Sequence, residues 1–170
     1  MSETDELRAS LRHQRAHVTG ILDGLDEPVL RRAVLPSGWT CLGLVRHLTL
    51  DVERFWFGAV IAGAPARDTP GRAWAVPPGL SAGEVLEEYR RECDRADVVL
   101  DTARPDDSPG WWPAGRFGTW RLGTVRAVAL HVIAETAGHA GHLDAVCELI
   151  DGRQWMVPEN VDAVAGTGGK

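Results

Sequence analysis

Lysine is nearly missing from this chain: its one copy is Lys170, although lysine and arginine together number 18. No basic run occurs and the formal net charge is -6. A surface built to meet phosphates needs clustered cations, so no nucleic-acid partner is expected. Arginine in place of lysine, with the richness in Ala, Gly, Val and Asp, suggests a high-GC bacterial genome. Cysteine is scarce too: Cys41, Cys93 and Cys147 are odd in number, far apart and free of C-x-x-C spacing. That excludes a disulfide framework and a zinc knuckle, and predicts reduced core thiols. No apolar stretch is long enough to cross a bilayer, and the first residues, Met1 to Leu7, carry neither a basic leader nor an apolar segment. A cytoplasmic protein with no membrane partner is the expectation. Alternating apolar and polar runs, the mark of half-buried strands, are absent as well.

What is present is helical periodicity. With 170 residues and 44% hydrophobic content the chain is long enough for one domain around one core. Four helices are predicted, separated by stretches dense in Pro and Gly. The first, Thr4 to Leu25, repeats Leu7, Leu11, Val18, Leu22 and Leu25, and its opposite face is charged. The second opens after Pro36-Ser37-Gly38-Trp39 with Thr40 as N-cap, and carries Val45, Leu48, Val52 and Phe55 until Gly63 and Pro65 end it. Ser81-Ala-Gly-Glu84 fits a capping box for the third, which runs through Leu86, Tyr89, Cys93, Ala96 and Leu100 to about Ala103. The fourth spans about Thr124 to Asp151, with Gly152 as its stop. An all-α four-helix bundle over residues 1–152 is therefore expected, with a C-terminal extension, 153–170, that is flexible at its end. Two connections, Ala64 to Leu80 and Arg104 to Gly123, are long enough to carry function. The second holds Trp111, Trp112, Phe117 and Trp120, which either roof a pocket or close the open end of the bundle.

The fourth helix also carries the chemistry. Val128, Val132, Val146 and Ile150 mark an apolar stripe, and the positions it skips are Glu135, His139 and His142. A carboxylate in core register needs a compensating cation. Glu135 and His139 stand at i and i+4, about 40° apart on a helix turning about 100° per residue, so their side chains converge. Imidazole nitrogen and carboxylate oxygen suit a divalent ion such as zinc or nickel, and a catalytic site commonly has three protein ligands and an open position. The third ligand must then come from another helix. His47, in the middle of the second helix and flanking its stripe, is the best candidate. His13 and His17 fall on the polar side of the first helix and read as solvated. Spacing alone does not separate a ligand pair from an exposed ion pair, nor His47 from a hydrogen-bonded core histidine. The apolar register adds weight to a metal.

The segments Ser37-Gly-Trp-Thr40-Cys-Leu-Gly-Leu-Val-Arg-His47-Leu and His131-Val-Ile-Ala-Glu135-Thr-Ala-Gly-His139-Ala-Gly-His142 together resemble the DinB-like superfamily. The chain looks most like its uncharacterised actinobacterial branch, related to mycothiol-dependent maleylpyruvate isomerases, and the likeness runs from the first helix to Gly152. The resemblance implies a divalent metal held by one His of the second helix and two ligands one turn apart on the fourth: here His47, Glu135 and His139. Many relatives have His at the place of Glu135, while the mycothiol-dependent isomerase group uses Glu. Gln is common at the place of His142, which leaves that residue open as fourth ligand, supporting donor or catalytic base. His131 reads as a supporting or structural residue, and Asp51, one turn after His47, either orients that imidazole or is exposed. A homodimer is implied by the superfamily.

Three functions follow as expectations. Two neutral imidazoles and one carboxylate leave a divalent ion with a charge near +1 and room for a thiolate. The resemblance therefore implies a thiol-dependent transferase or isomerase, using a small thiol such as mycothiol against a small electrophile. A metal-dependent hydrolase of a small amide or ester, with His142 as proton shuttle, is the alternative. A non-catalytic metal- or ligand-binding stress-associated bundle is the third.

Overall fold

The structure, a computed structural model, describes residues 2–66 and 72–155. Those residues are helical with no strand among them, as the missing alternation predicts. Helix α1 is Glu3–Gly20, α2 is Glu27–Leu30, α3 is Cys41–His47, α4 is Ala82–Thr102 and α5 is Val125–Asp151. The rod that begins as α3 continues without a break as a π-helix over Leu48–Ile61.

The start and stop signals act as written in the sequence. The Thr40 hydroxyl accepts from the Gly43 amide at 3.0 Å, relieving one orphan donor of α3. Ser81 and Glu84 form a reciprocal capping box on α4, and Thr124 caps α5. Gly152 closes α5 in the left-handed conformation, φ 80°. Two boundaries differ from expectation. Helix α1 stops at Gly20 rather than Leu25, and the residues beyond it turn into the short α2, whose Pro28 lies in its first turn. The π-helical continuation is the larger departure. At its start the Thr49 hydroxyl donates to the Val45 carbonyl at 2.8 Å, a side-chain intrusion of the kind that loosens an α ladder. At its end the Ala62 amide reaches back five residues to Phe57.

The π segment is the most central element. It packs against α4, α5 and α3, while α1 lies against α5 and α4. Leu48, Val52, Phe57 and Val60 are buried along it, together with Leu11, Val18, Leu42, Leu44, Leu100, Val128, Val132 and Leu143 from its neighbours. Burial of such side chains is the main stabilising term, about 1.5–3 kcal/mol for each large aliphatic. No helix among the described residues is long and apolar enough to cross a membrane.

One polar network lies inside this packing. Arg15 donates from Nε and Nη2 to both carboxylate oxygens of Glu53 at 2.8 and 2.7 Å, and from Nη1 to Asp97 at 2.7 Å. The Arg15 and Glu53 side chains are 7% and 1% exposed. Beside it, Arg54 forms a separate group with Glu88 and Glu92, each at 2.8 Å. The charged face of α1 is in part internal: Arg15 is buried because the π segment offers a carboxylate in fork geometry. The expectation of a solvated His17 is corrected. His17 is buried, its Nε2 lies 2.7 Å from Asp144 of α5, and Trp155 stacks on its ring at 5.1 Å. His13 is exposed, as expected. Beyond α5, Arg153 donates to the carbonyls of Ile21 and Asp23, so the chain turns back onto the end of α1. The end of the 153–170 extension, expected to be flexible, lies outside the described residues, which stop at 155.

All three cysteines are free thiols. Cys41 and Cys147 are fully buried, and burial raises the Cys93 thiol far above its ordinary range.

Candidate functional site

His47 occupies the last turn of α3, and the fold fixes its ring from two sides. Its Nδ1 lies 3.0 Å from Oδ2 of Asp51. An ionised carboxylate only accepts, so the ring proton belongs on Nδ1 and the lone pair on Nε2. Trp74 stacks on the other side, ring centroids 4.3 Å apart and planes 16° from parallel. That contact depends on Gly43: a Cβ there would stand 2.6 Å from the Trp74 carbonyl oxygen, so any other residue would push the loop away. Arg46 ties the same loop down by donating to the carbonyls of Arg72, Ala73 and Ala75.

From α5, His139 presents its ring edge to His47 at 5.0 Å between centroids, and its Nε2 lies 3.7 Å from Oε2 of Glu135. The structure thus brings His47, Glu135 and His139 together from two rods. It does so by a register different from the one expected. The buried line of α5 runs through Val128, Val132, Thr136, Ala140, Leu143 and Cys147; Glu135 and His139 lie one position off it. Thr136 and Ala140 are small and were passed over by an apolar stripe drawn through Val and Ile. The Glu135 side chain is 42% exposed, that of His139 only 16%. The premise of a carboxylate in the core is therefore corrected: both groups stand at the rim of the core, facing the neighbouring rod.

Burial, and then the nearby His47, hold the His139 pKa down to about 4, so its imidazole is neutral at pH 7 and a lone pair is available. Its Nδ1 is buried with no hydrogen-bond partner among the described residues. An orphaned imidazole nitrogen beside a second imidazole and a carboxylate suits a divalent cation in donor chemistry. The donors nonetheless stand in pairs: among the described residues no three His, Cys, Asp or Glu are grouped tightly enough to hold an ion as they lie.

A cavity of about 300 Å³ opens beside this cluster, lined by the polar side chains of His47, Asp51, His131 and Glu135 and by the aromatic rings of Phe55, Trp56, Phe117 and Trp120. The long connection before α5 supplies part of this wall, tied to the end of the π segment by the amides of Gly110 and Trp111, which donate to Ile61 and Val60. Of the two roles expected for its aromatics, lining a pocket is the one observed: Phe117 stacks on Trp56 at 5.7 Å and meets Trp120 edge-on at 5.5 Å, and both rings line the cavity. His131 sits against Trp56 at 4.6 Å, and burial lowers its pKa. His142 is exposed, its ring 5.6 Å from His139 and 6.4 Å from Trp39. A second cavity, about 690 Å³, lies between the π segment and α4. Its arginines and glutamates are paired with one another or with carbonyls and it offers no imidazole, so the chemistry belongs to the smaller one.

Sequence reasoning missed Trp56, Trp74 and Arg116 at this site. Trp56 hid one place from the stripe residue Phe55, and Arg116 precedes Phe117 in the connection whose aromatics stood out.

A family match places these helical rods, with their carboxylate-supported imidazole and i,i+4 Glu–His pair, in the DinB-like superfamily. Within it the assignment is narrower: the sequence model of the mycothiol S-transferases matches residues 6–152, and the chain belongs to that family. Comparison with curated proteins and with solved structures found no match.

Proposed function

We propose that this protein is a divalent-metal-dependent S-transferase that joins a small thiol of the mycothiol type to a small electrophile. The observation that carries the reading is the meeting of His47, Glu135 and His139 at the edge of an aromatic cavity, in a chain of the mycothiol S-transferase family. These three residues would hold the cation, zinc before nickel, within a four-helix bundle made of α1, the α3–π rod, α4 and α5. A bound divalent cation supplies the positive charge that lowers the pKa of a thiol.

The chain's own residues do the rest. Asp51 holds His47 in the tautomer that leaves Nε2 free, and Trp74 holds its ring plane. His139 stays neutral and so keeps its lone pair at physiological pH. Glu135 offsets the cation's charge without leaving the solvent-accessible rim. His142, exposed beside His139, takes the thiol proton and passes it to water. The sulfur–carbon bond then forms as the leaving group departs with its electron pair. As part of the same reading the protein works as a cytoplasmic homodimer, which cell fractionation and sedimentation check.

Elemental analysis of protein purified without chelator or metal-affinity resin is the direct test. About one divalent ion per chain is expected, and His47→Ala and His139→Ala should both lose it along with conjugation. Unchanged metal stoichiometry in both variants would overturn the ligand assignment. Turnover of an ester or amide with no thiol present would favour the hydrolase instead.

A further inference from the structure

Arg116 is the one permanent cation among the described residues that line the smaller cavity. Its guanidinium lies over the Phe55 ring at 4.8 Å and the Phe117 ring at 5.7 Å. It makes no ion pair or side-chain hydrogen bond with any described residue. The contrast with two other arginines of the fold is sharp: the buried Arg15 and the half-buried Arg54 are each satisfied by two carboxylates. Two carboxylates also line this cavity, but each is placed beside an imidazole, Asp51 at His47 and Glu135 at His139. The cavity thus combines acids and imidazoles with a guanidinium that lies over two aromatic rings and is paired by no described residue.

We infer that this cavity takes the electrophilic substrate, and that its class is an aromatic electrophile bearing a carboxylate or similar planar anion. The rings of Phe55, Trp56, Phe117 and Trp120 line the cavity and give a flat ring an aromatic surface to pack against. About 300 Å³ lies at the lower end of the range for small-molecule pockets, enough for a single substituted ring. The guanidinium fork matches a carboxylate in two parallel hydrogen bonds, and stacking on Phe55 and Phe117 orients it in advance. Arg116 is then a specificity-determining residue: it selects the electrophile and takes no part in bond making. The inference rests on the transferase reading for what happens to the bound ring. In that reaction the thiolate sulfur bonds the ring carbon, chloride or another leaving group departs with its electron pair, and the thiol proton goes to solvent.

The probes are 4-chloro-3,5-dinitrobenzoate and its neutral isostere 4-chloro-3,5-dinitrobenzamide, offered to the metal-loaded full chain. Binding is read by quenching of tryptophan fluorescence without thiol, and turnover by chloride release with mycothiol. The benzoate should bind about tenfold tighter than the benzamide, as one charge-assisted contact allows. Arg116→Met should bring that ratio close to one, and Arg116→Lys should restore part of it. Arg116 is exposed on a loop, so neither variant threatens the fold. Equal binding of the two probes by the native protein, or a benzoate preference that survives Arg116→Met, overturns the inference. Selective binding with no chloride release keeps the inference and removes the transferase reading, so the two fail separately.

Discussion

Two polar clusters flank the π-helical segment, and they are built on opposite plans. The Arg15–Glu53–Asp97 network is closed: the guanidinium is met by carboxylates at 2.7 to 2.8 Å, and Glu53 is almost wholly buried. The His47–Glu135–His139 cluster is open: its rings approach edge-on, its one Glu–His contact is 3.7 Å, and an imidazole nitrogen is buried without a partner among the described residues. A closed network needs nothing further and serves the fold. An open one leaves polar atoms that only a further partner could satisfy, which is why the proposed function is placed there.

The comparison breaks most readily at Arg15. Arg15→Met strands the Glu53 carboxylate in the core, and urea unfolding should show a loss of about 3–5 kcal/mol. A loss below about 1 kcal/mol would mean that the closed network is not structural. The open cluster should respond in the other currency. Asp51→Asn removes the carboxylate that fixes the His47 tautomer, and should weaken metal affinity about 10–100-fold while metal-free stability falls by about 1 kcal/mol or less. Competition with a chelator measures the first quantity and urea melts the second; a purely stability effect would place Asp51 in the structural class.

Acid separates the clusters further. His139 titrates near 4 in the folded protein against 6.5 in the unfolded chain, because burial and the neighbouring His47 disfavour its charge. Between those values the unfolded state binds the extra proton, so this residue's contribution is intact above 6.5 and is lost as pH falls toward 4. Metal-free protein should therefore lose stability on acidification through that window, and His139→Gln should flatten the profile. An unchanged slope would show that the ring is solvated. The smallest effect is expected at Thr40, where Thr40→Ala removes the cap of α3 at about 1 kcal/mol and Thr40→Ser restores most of it.

Helix identity was legible because it is written locally, in Thr40, Ser81–Glu84, Thr124 and Gly152 and in apolar spacing. The adjacency of His47 to Glu135 and His139 was legible from the resemblance together with that spacing. The π-helix was not, since Val45, Leu48, Val52 and Phe55 fit a helix of either width. Arg15 and Glu53 were not, because their partnership spans 38 residues of sequence and each alone looks like a surface charge. The rim position of Glu135 was missed because Thr136 and Ala140 do the packing while contributing little hydrophobicity.

Asp51 and Glu53 are two residues apart on the π segment, yet one serves the imidazoles and the other the buried arginine. Shifting the phase of that rod by a single inserted or deleted residue between His47 and Glu53 would unseat both partners at once. A change of phase there would therefore disturb the buried ion network and the imidazole cluster together. The imidazole cluster thus sits on a mount whose register the core itself enforces.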